Sequence, residues 1–172
     1  MLNKLVFVGM MGCGKTTLAS QISEKLKWHF VDVDTFIEEN YKAIPEIFNQ
    51  VGEAGFRQLE TKCLAEVLEQ APDLISTGGG LVTRTENVVL LKQYDYKIVY
   101  IKVDFEVLVK RLEFQRDSRP LLKSSDWKKD LYDLIAEREP IYLSVADEIV
   151  KNNDDSVETI IEDIISKIIY SK

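Results

Sequence analysis

Histidine is almost missing from this chain: of 172 residues, only His29 carries an imidazole. A Ser-His-Asp triad or a histidine-rich zinc site therefore has no material, and acid–base work falls to carboxylates, lysine or water. Cysteine is nearly as scarce. Cys13 and Cys63 are too few for a disulfide framework, which fits a reducing cytoplasm. No apolar run approaches the roughly 20 residues that a membrane span requires. Residues 1–4 lead straight into a strand-like segment without a small-residue cleavage site, so no secretory leader is expected. Positive charge is in deficit too, with 22 Lys+Arg against 29 Asp+Glu and a formal charge of -7. A sequence-independent nucleic-acid binder needs a basic face, and this balance argues against one. Linkers, repeats and low-complexity tracts are also lacking, so residues 1–172 read as one domain.

A negative protein can still hold a small anion in a locally positive site. The six arginines (Arg57, Arg84, Arg111, Arg116, Arg119 and Arg138) matter for that reason, because Arg binds carboxylate and phosphate bidentately and Lys does not.

Short β-branched runs alternate with helical patterns. Strands are expected at 5–8, 30–33, 74–77, 98–101 and 148–150. Helices are expected at 15–26, 45–50, 53–70, 85–93, 104–113 and 126–143, with Pro140 hinting at a kink or local end in the last of these. A final helix would start at an Asp155/Glu158 capping box and bury a stripe of Ile160, Ile161, Ile164, Ile165, Ile168 and Ile169. Such alternation predicts an α/β fold, a parallel sheet flanked by helices, with ligands beyond the carboxyl ends of the strands.

Gly9-Met10-Met11-Gly12-Cys13-Gly14-Lys15-Thr16 is a complete G-x-x-x-x-G-K-T motif between an expected strand and an expected helix. Its backbone N–H groups can encircle phosphate oxygens at a helix N-terminus. Gly12, Cys13, Gly14, Lys15, Thr16 and Thr17 are thus candidate nucleotide contacts, with Lys15 reaching the β- and γ-phosphates and Thr16 ligating Mg²⁺. The Cys13 thiol, at a helix N-terminus beside a lysine, is expected to be alkylated in competition with nucleotide unless it turns into the core. No N-K-x-D guanine signature is present.

Other segments bear on the second substrate. Asp32 and Asp34 flank Val33 at the end of the second expected strand, where residues two apart share a side. Read alone, the pair could equally cap a helix. Arg57 and Glu60 are three apart on a helix, so Glu60 can orient the guanidinium. Thr77-Gly78-Gly79-Gly80 ends a strand with glycines, which implies close approach of a ligand or a packed helix. Arg119-Pro120 closes a polar, aperiodic stretch suited to a mobile lid, and Arg138 lies between Glu137 and Glu139. In isolation, each of these arginines also reads as a surface ion pair.

Taken in order, these motifs resemble the shikimate kinase family from Gly9 to Asp147. The resemblance covers the phosphate loop, Asp-x-Asp followed by Ile37-Glu38, and Ile47-Phe48 leading into Gly-Glu-x-x-Phe-Arg-x-x-Glu. It also covers the triple glycine, Arg119-Pro120-Leu121-Leu122 and Glu-Arg-x-x-x-Tyr-x-x-x-Ala-Asp. It implies a P-loop NTPase-type, nucleoside monophosphate kinase-like sheet of five parallel strands in order 2-3-1-4-5. It further implies transfer of the γ-phosphoryl group of ATP, with Mg²⁺, to the 3-hydroxyl of shikimate by a cytoplasmic monomer.

By resemblance, Asp34, Arg57, Gly79, Gly80 and Arg138 bind shikimate, the arginines through its carboxylate, within a region of about 34–61 and beyond. Lys15, Asp34 and Arg119 are the catalytic set, and Arg119 closes a lid of about 112–124 over ATP. Asp32 supports Mg²⁺ through water, and Arg111, or alternatively Arg116, packs on adenine. The segment Arg111-Leu112-Glu113-Phe114-Gln115-Arg116 departs from the commoner small or polar residues there. A gluconate kinase-like enzyme and a catalytically silent nucleotide-dependent binding module are the alternatives.

Overall fold

The computed structural model describes residues 4–115, 119–153 and 156–169 of the chain. Lys4–Val8 (β1) is an apolar run whose last four residues are buried, as a central parallel strand requires. It pairs in parallel with Leu74–Ser76 (β3) on one side, Leu5 opposite Leu74, and with Tyr96–Lys102 (β4) on the other, Val6 opposite Ile98. Phe30–Asp32 (β2) adds outside β3, and Glu148–Lys151 (β5) outside β4. The five-stranded order is β2-β3-β1-β4-β5, as expected. The chain moves to one side of β1 and then to the other, which opens a crevice beyond its carboxyl end.

Helices flank the sheet. Lys15–Leu26 (α1) lies against β1, β2 and β3, while Thr85–Gln93 (α4) and Trp127–Val145 (α6) contact β4. Phe105–Leu112 (α5) follows β4, and Val157–Ile164 (α7) continues into a π-helical turn at Ile165–Ile169. Ile160, Ile161, Ile164 and Ile168 of the expected stripe are buried, and Ile165 is partly so. The expected capping box is replaced: Ser156 accepts the Thr159 N–H at 3.2 Å, and Asp155 lies outside the described residues.

Three further expectations are corrected. The second strand stops at Asp32, because the Asp32 carboxylate accepts the Thr35 N–H at 3.0 Å and starts a helix, Val33–Asn40 (α2). Asp34 therefore stands in the first turn of a helix rather than on extended chain. The helix α6 does not end at Pro140 but runs through it to Val145. Between Ile44 and Glu69 (α3) the two expected helices do appear, joined at Gly52, whose φ of 68° and ψ of -178° are not helical.

Candidate active site

The loop after β1 and the N-terminus of α1 form the floor of a cavity of about 550 Å³. Gly14 caps α1 with φ 91°, a left-handed conformation, and a Cβ there would lie only 2.5 Å from Asn152 Nδ2. Glycine is thus required twice at this residue, and the first N–H groups of the helix stay open to an anion. Lys15 is buried, and its ammonium donates to the carbonyls of Gly9 (2.9 Å) and Met10 (3.0 Å). Thr16 donates its hydroxyl to Asp32 Oδ2 at 2.7 Å and lies 3.3 Å from Ser76 Oγ. Gly12, Thr17, Asp34, Gly79, Arg111, Arg119 and Asn152 complete much of the lining.

Arg111 reaches across this cavity from α5. Its Nη2 donates to the carbonyls of Asn152 (2.9 Å) and Asn153 (2.6 Å), so the chain leaving β5 is tied to α5. Asn152 in turn donates from Nδ2 to the Cys13 carbonyl at 2.7 Å, underneath the phosphate loop.

A second cavity, of about 300 Å³, opens between α2, α3, the glycine turn after β3, and α6. Its apolar wall includes Ile44, Phe48 and Phe56, the two rings 4.6 Å apart. Its polar wall carries charged groups, among them Arg57, Glu60 and Arg138. Arg57 donates to the buried Glu60 (Nη1 to Oε2, 2.9 Å) and to Glu53 (3.3 Å). Arg138 is only 4% exposed, so it is no surface ion pair. Among the described residues, Arg138 Nε, Arg119 Nε and Glu60 Oε1 are buried without a partner. Unpaired buried polar groups are costly, and several of them around one cavity suit a polar ligand. The triple glycine fits among them: a Cβ at Gly80 would lie 2.2 Å from Arg57 Nη2, and one at Gly78 2.7 Å from Asp34 Oδ1.

Met11, Asp34, Gly79 and Arg119 line both cavities. Burial pushes the Asp34 carboxyl up to about 6, helped by the nearby charges of Asp32 and Glu60 and opposed by Lys15 and Arg119. Burial also raises Glu60, although Arg57 opposes it.

Every expected site residue within the described chain except Cys13 lines one cavity or both. The Cys13 side chain is 1% exposed and belongs to the core, so the expected competition between alkylation and nucleotide loses its basis. Arg116 lies outside the described residues. Asn152 and Ser76 belong to no motif that marks them as site residues. Asn152 follows the last residue of β5 and Ser76 is the last of β3, so the strand-end rule applied to each strand would have found both.

A family model described as shikimate kinase matches residues 11–169. A shikimate kinase of Dictyoglomus turgidum is 40% identical over 172 residues, covering 98% of each chain. One from Clostridium beijerinckii is 39% identical over 154 residues, covering 89% of this chain and 88% of that one. The solved structure of Acinetobacter baumannii shikimate kinase in complex with shikimate matches with a TM-score of 0.90 at 34% identity, over 98% of this chain and 93% of that one.

Proposed function

The chain belongs to the shikimate kinase family, and on that premise we propose that it transfers the γ-phosphoryl group of ATP to the 3-hydroxyl of shikimate across the wall shared by its two cavities. The observation that carries this reading is the shared wall itself. Asp34 and Arg119 line both the phosphate-loop cavity and the acceptor cavity, so one carboxylate and one guanidinium face both substrates.

In the larger cavity, the N–H groups of the phosphate loop and Lys15 would hold the ATP phosphates, Lys15 giving up its carbonyl partners to do so. Arg111 would flank the base. The Thr16 hydroxyl and the Asp32 carboxylate are hard oxygen donors 2.7 Å apart, a fit for a magnesium ion held by Thr16 and, through water, Asp32. When bound, Mg²⁺ supplies neutralising charge to the phosphates.

In the smaller cavity, Arg57 and Arg138 would clamp the shikimate carboxylate, with Gly79 and Gly80 giving backbone contacts. Asp34 would accept a hydrogen bond from the reacting hydroxyl and orient it in line with the γ-phosphorus. Proton transfer to Asp34 can come late, because a loose transition state does not demand a prior alkoxide. Arg119, in the lid region of about 112–124, would stabilise charge on the transferring group, and water would be excluded on closure. The region of about 34–61 contributes Asp34, Phe48 and Arg57 to acceptor binding. One chain supplies every residue assigned to the two substrates, so a monomer would suffice for the reaction, and its free buried cysteines suit the cytoplasm.

ADP release with shikimate, gluconate and a nucleoside monophosphate as acceptors tests the proposal. Turnover should depend on shikimate; comparable rates with gluconate or the nucleotide would overturn it.

A further inference from the structure

Among the described residues, Tyr142 is the largest fully buried side chain. It lies one helical turn after Arg138 on α6, with its ring 5.0 Å from that of Tyr100. Its hydroxyl donates to the carbonyl of Gly79 and sits 3.5 Å from Met10 Sδ in the phosphate loop. The other two carbonyls of the glycine turn are also taken. Gly78 accepts the Leu81 N–H at 3.2 Å, and Gly80 accepts both the N–H (3.1 Å) and the hydroxyl (2.7 Å) of Thr83. Among the described residues, however, the Gly80 N–H meets no acceptor.

We propose that Tyr142 is a positioning residue for the acceptor: by holding the Gly79 carbonyl, its hydroxyl turns the Gly80 N–H toward an anionic group of the substrate. The physical link is the planar trans peptide between Gly79 and Gly80, in which C=O and N–H point in opposite directions. Fixing the carbonyl toward buried Tyr142 sends the N–H away from the core side, and Gly80 lines the acceptor cavity against Arg57. Without the phenol, a peptide flanked by glycines on both sides has little to hold its plane. The same helix thereby sets two donors for one ligand, the Arg138 guanidinium directly and the Gly80 N–H through Tyr142. Burial raises the phenol's pKa well above neutrality, so it remains a donor throughout the working range. The inference rests on the second cavity being the shikimate site.

Tyr142→Phe keeps the ring and removes the hydroxyl, which meets the Arg138 side chain as well as the Gly79 carbonyl. The variant must therefore also lose the slowing of Gly80 exchange by shikimate if the effect runs through the Gly79–Gly80 peptide. Shikimate should bind about tenfold more weakly in calorimetric titration, the loss of roughly one neutral hydrogen bond. The KM for ATP should stay within about twofold, since one peptide is released and the phosphate loop keeps its own bonds. A lower melting temperature with unchanged shikimate affinity, or equal weakening toward both substrates, would overturn the proposal and leave Tyr142 a packing residue. Amide hydrogen exchange of the parent protein gives an independent reading: shikimate should slow exchange at Gly80, and unchanged exchange there overturns the proposal even if the variant folds poorly. Arg138→Ala separates the two levels. If it weakens shikimate while Tyr142→Phe does not, only the positioning role falls; if neither does, the cavity assignment falls with it.

Discussion

Asp34 is placed where binding and stability pull in opposite directions. With its carboxyl pushed to about 6 from the ordinary 3.8, the folded protein holds a proton that the unfolded chain releases. The native state binds more protons between those two values, so stability falls as pH rises through that window and the deficit is complete above about pH 6. Asp34→Asn removes the charge and should stabilise the protein by of the order of 2–3 kcal/mol above pH 6, with the advantage fading below about pH 4. Denaturant titrations across pH check this, and an advantage largest in acid would contradict the burial argument. On the proposed mechanism the same residue would also set activity. In the free enzyme kcat/KM should fall below about pH 6, as protonation removes the carboxylate charge that would take up the proton of the shikimate hydroxyl. Asp34→Asn should lose about 10²-fold or more in kcat, and its residual rate should lack that acidic limb. A retained limb would assign it to another group.

At the scale of elements, the sharpest backbone feature is the break in α3. Gly52, with φ 68° and ψ -178°, occupies a region that essentially only glycine populates, and a Cβ there would meet nothing within 4 Å. The cost of Gly52→Ala is therefore backbone strain alone, about 1–3 kcal/mol. A neutral effect in thermal denaturation would mean that the break can relax. The two helices on either side of Gly52 were legible in the sequence, as were all five strands, since buried parallel strands announce themselves as β-branched runs. The helix α2 was legible only as the alternative in which the Asp pair caps a helix. Asp32-Val33-Asp34 reads as strand end by its spacing, and one local hydrogen bond, Asp32 to the Thr35 N–H, turns it into a helix start. Of the two readings that Pro140 offered, a local end is excluded, because α6 runs through it to Val145 with Arg138 and Tyr142 buried on either side. Motif order picked out residues that line the two cavities. What spacing could not supply was burial: it left Arg57 and Arg138 readable as surface ion pairs, and left Cys13 open between reactive and inert.

For the whole molecule, the sheet order puts the reversal of strand order at β1, so the phosphate loop and the glycine turn after β3 lie side by side. Two cavities of about 550 and 300 Å³ therefore meet at shared residues inside a protein of net charge -7. Thr16 and Asp32 line the phosphate-loop cavity and not the second one, so metal removal should be felt at the phosphates first. Chelation should abolish turnover, restored by added Mg²⁺, while shikimate still binds; loss of shikimate binding on chelation would contradict the separate roles of the cavities. The division of labour between arginines is tested most directly by calorimetric titration of shikimate into Arg138→Ala and Arg119→Ala, alongside steady-state kinetics. Arg138→Ala should weaken shikimate binding by about 2–5 kcal/mol, because a buried carboxylate loses its partner. Arg119→Ala should bind shikimate almost normally and lose about 10³-fold in kcat, since its interaction is made with the transferring group. Abolished shikimate binding in Arg119→Ala with kcat retained, or normal binding in Arg138→Ala, would contradict phosphoryl transfer across the shared wall as described.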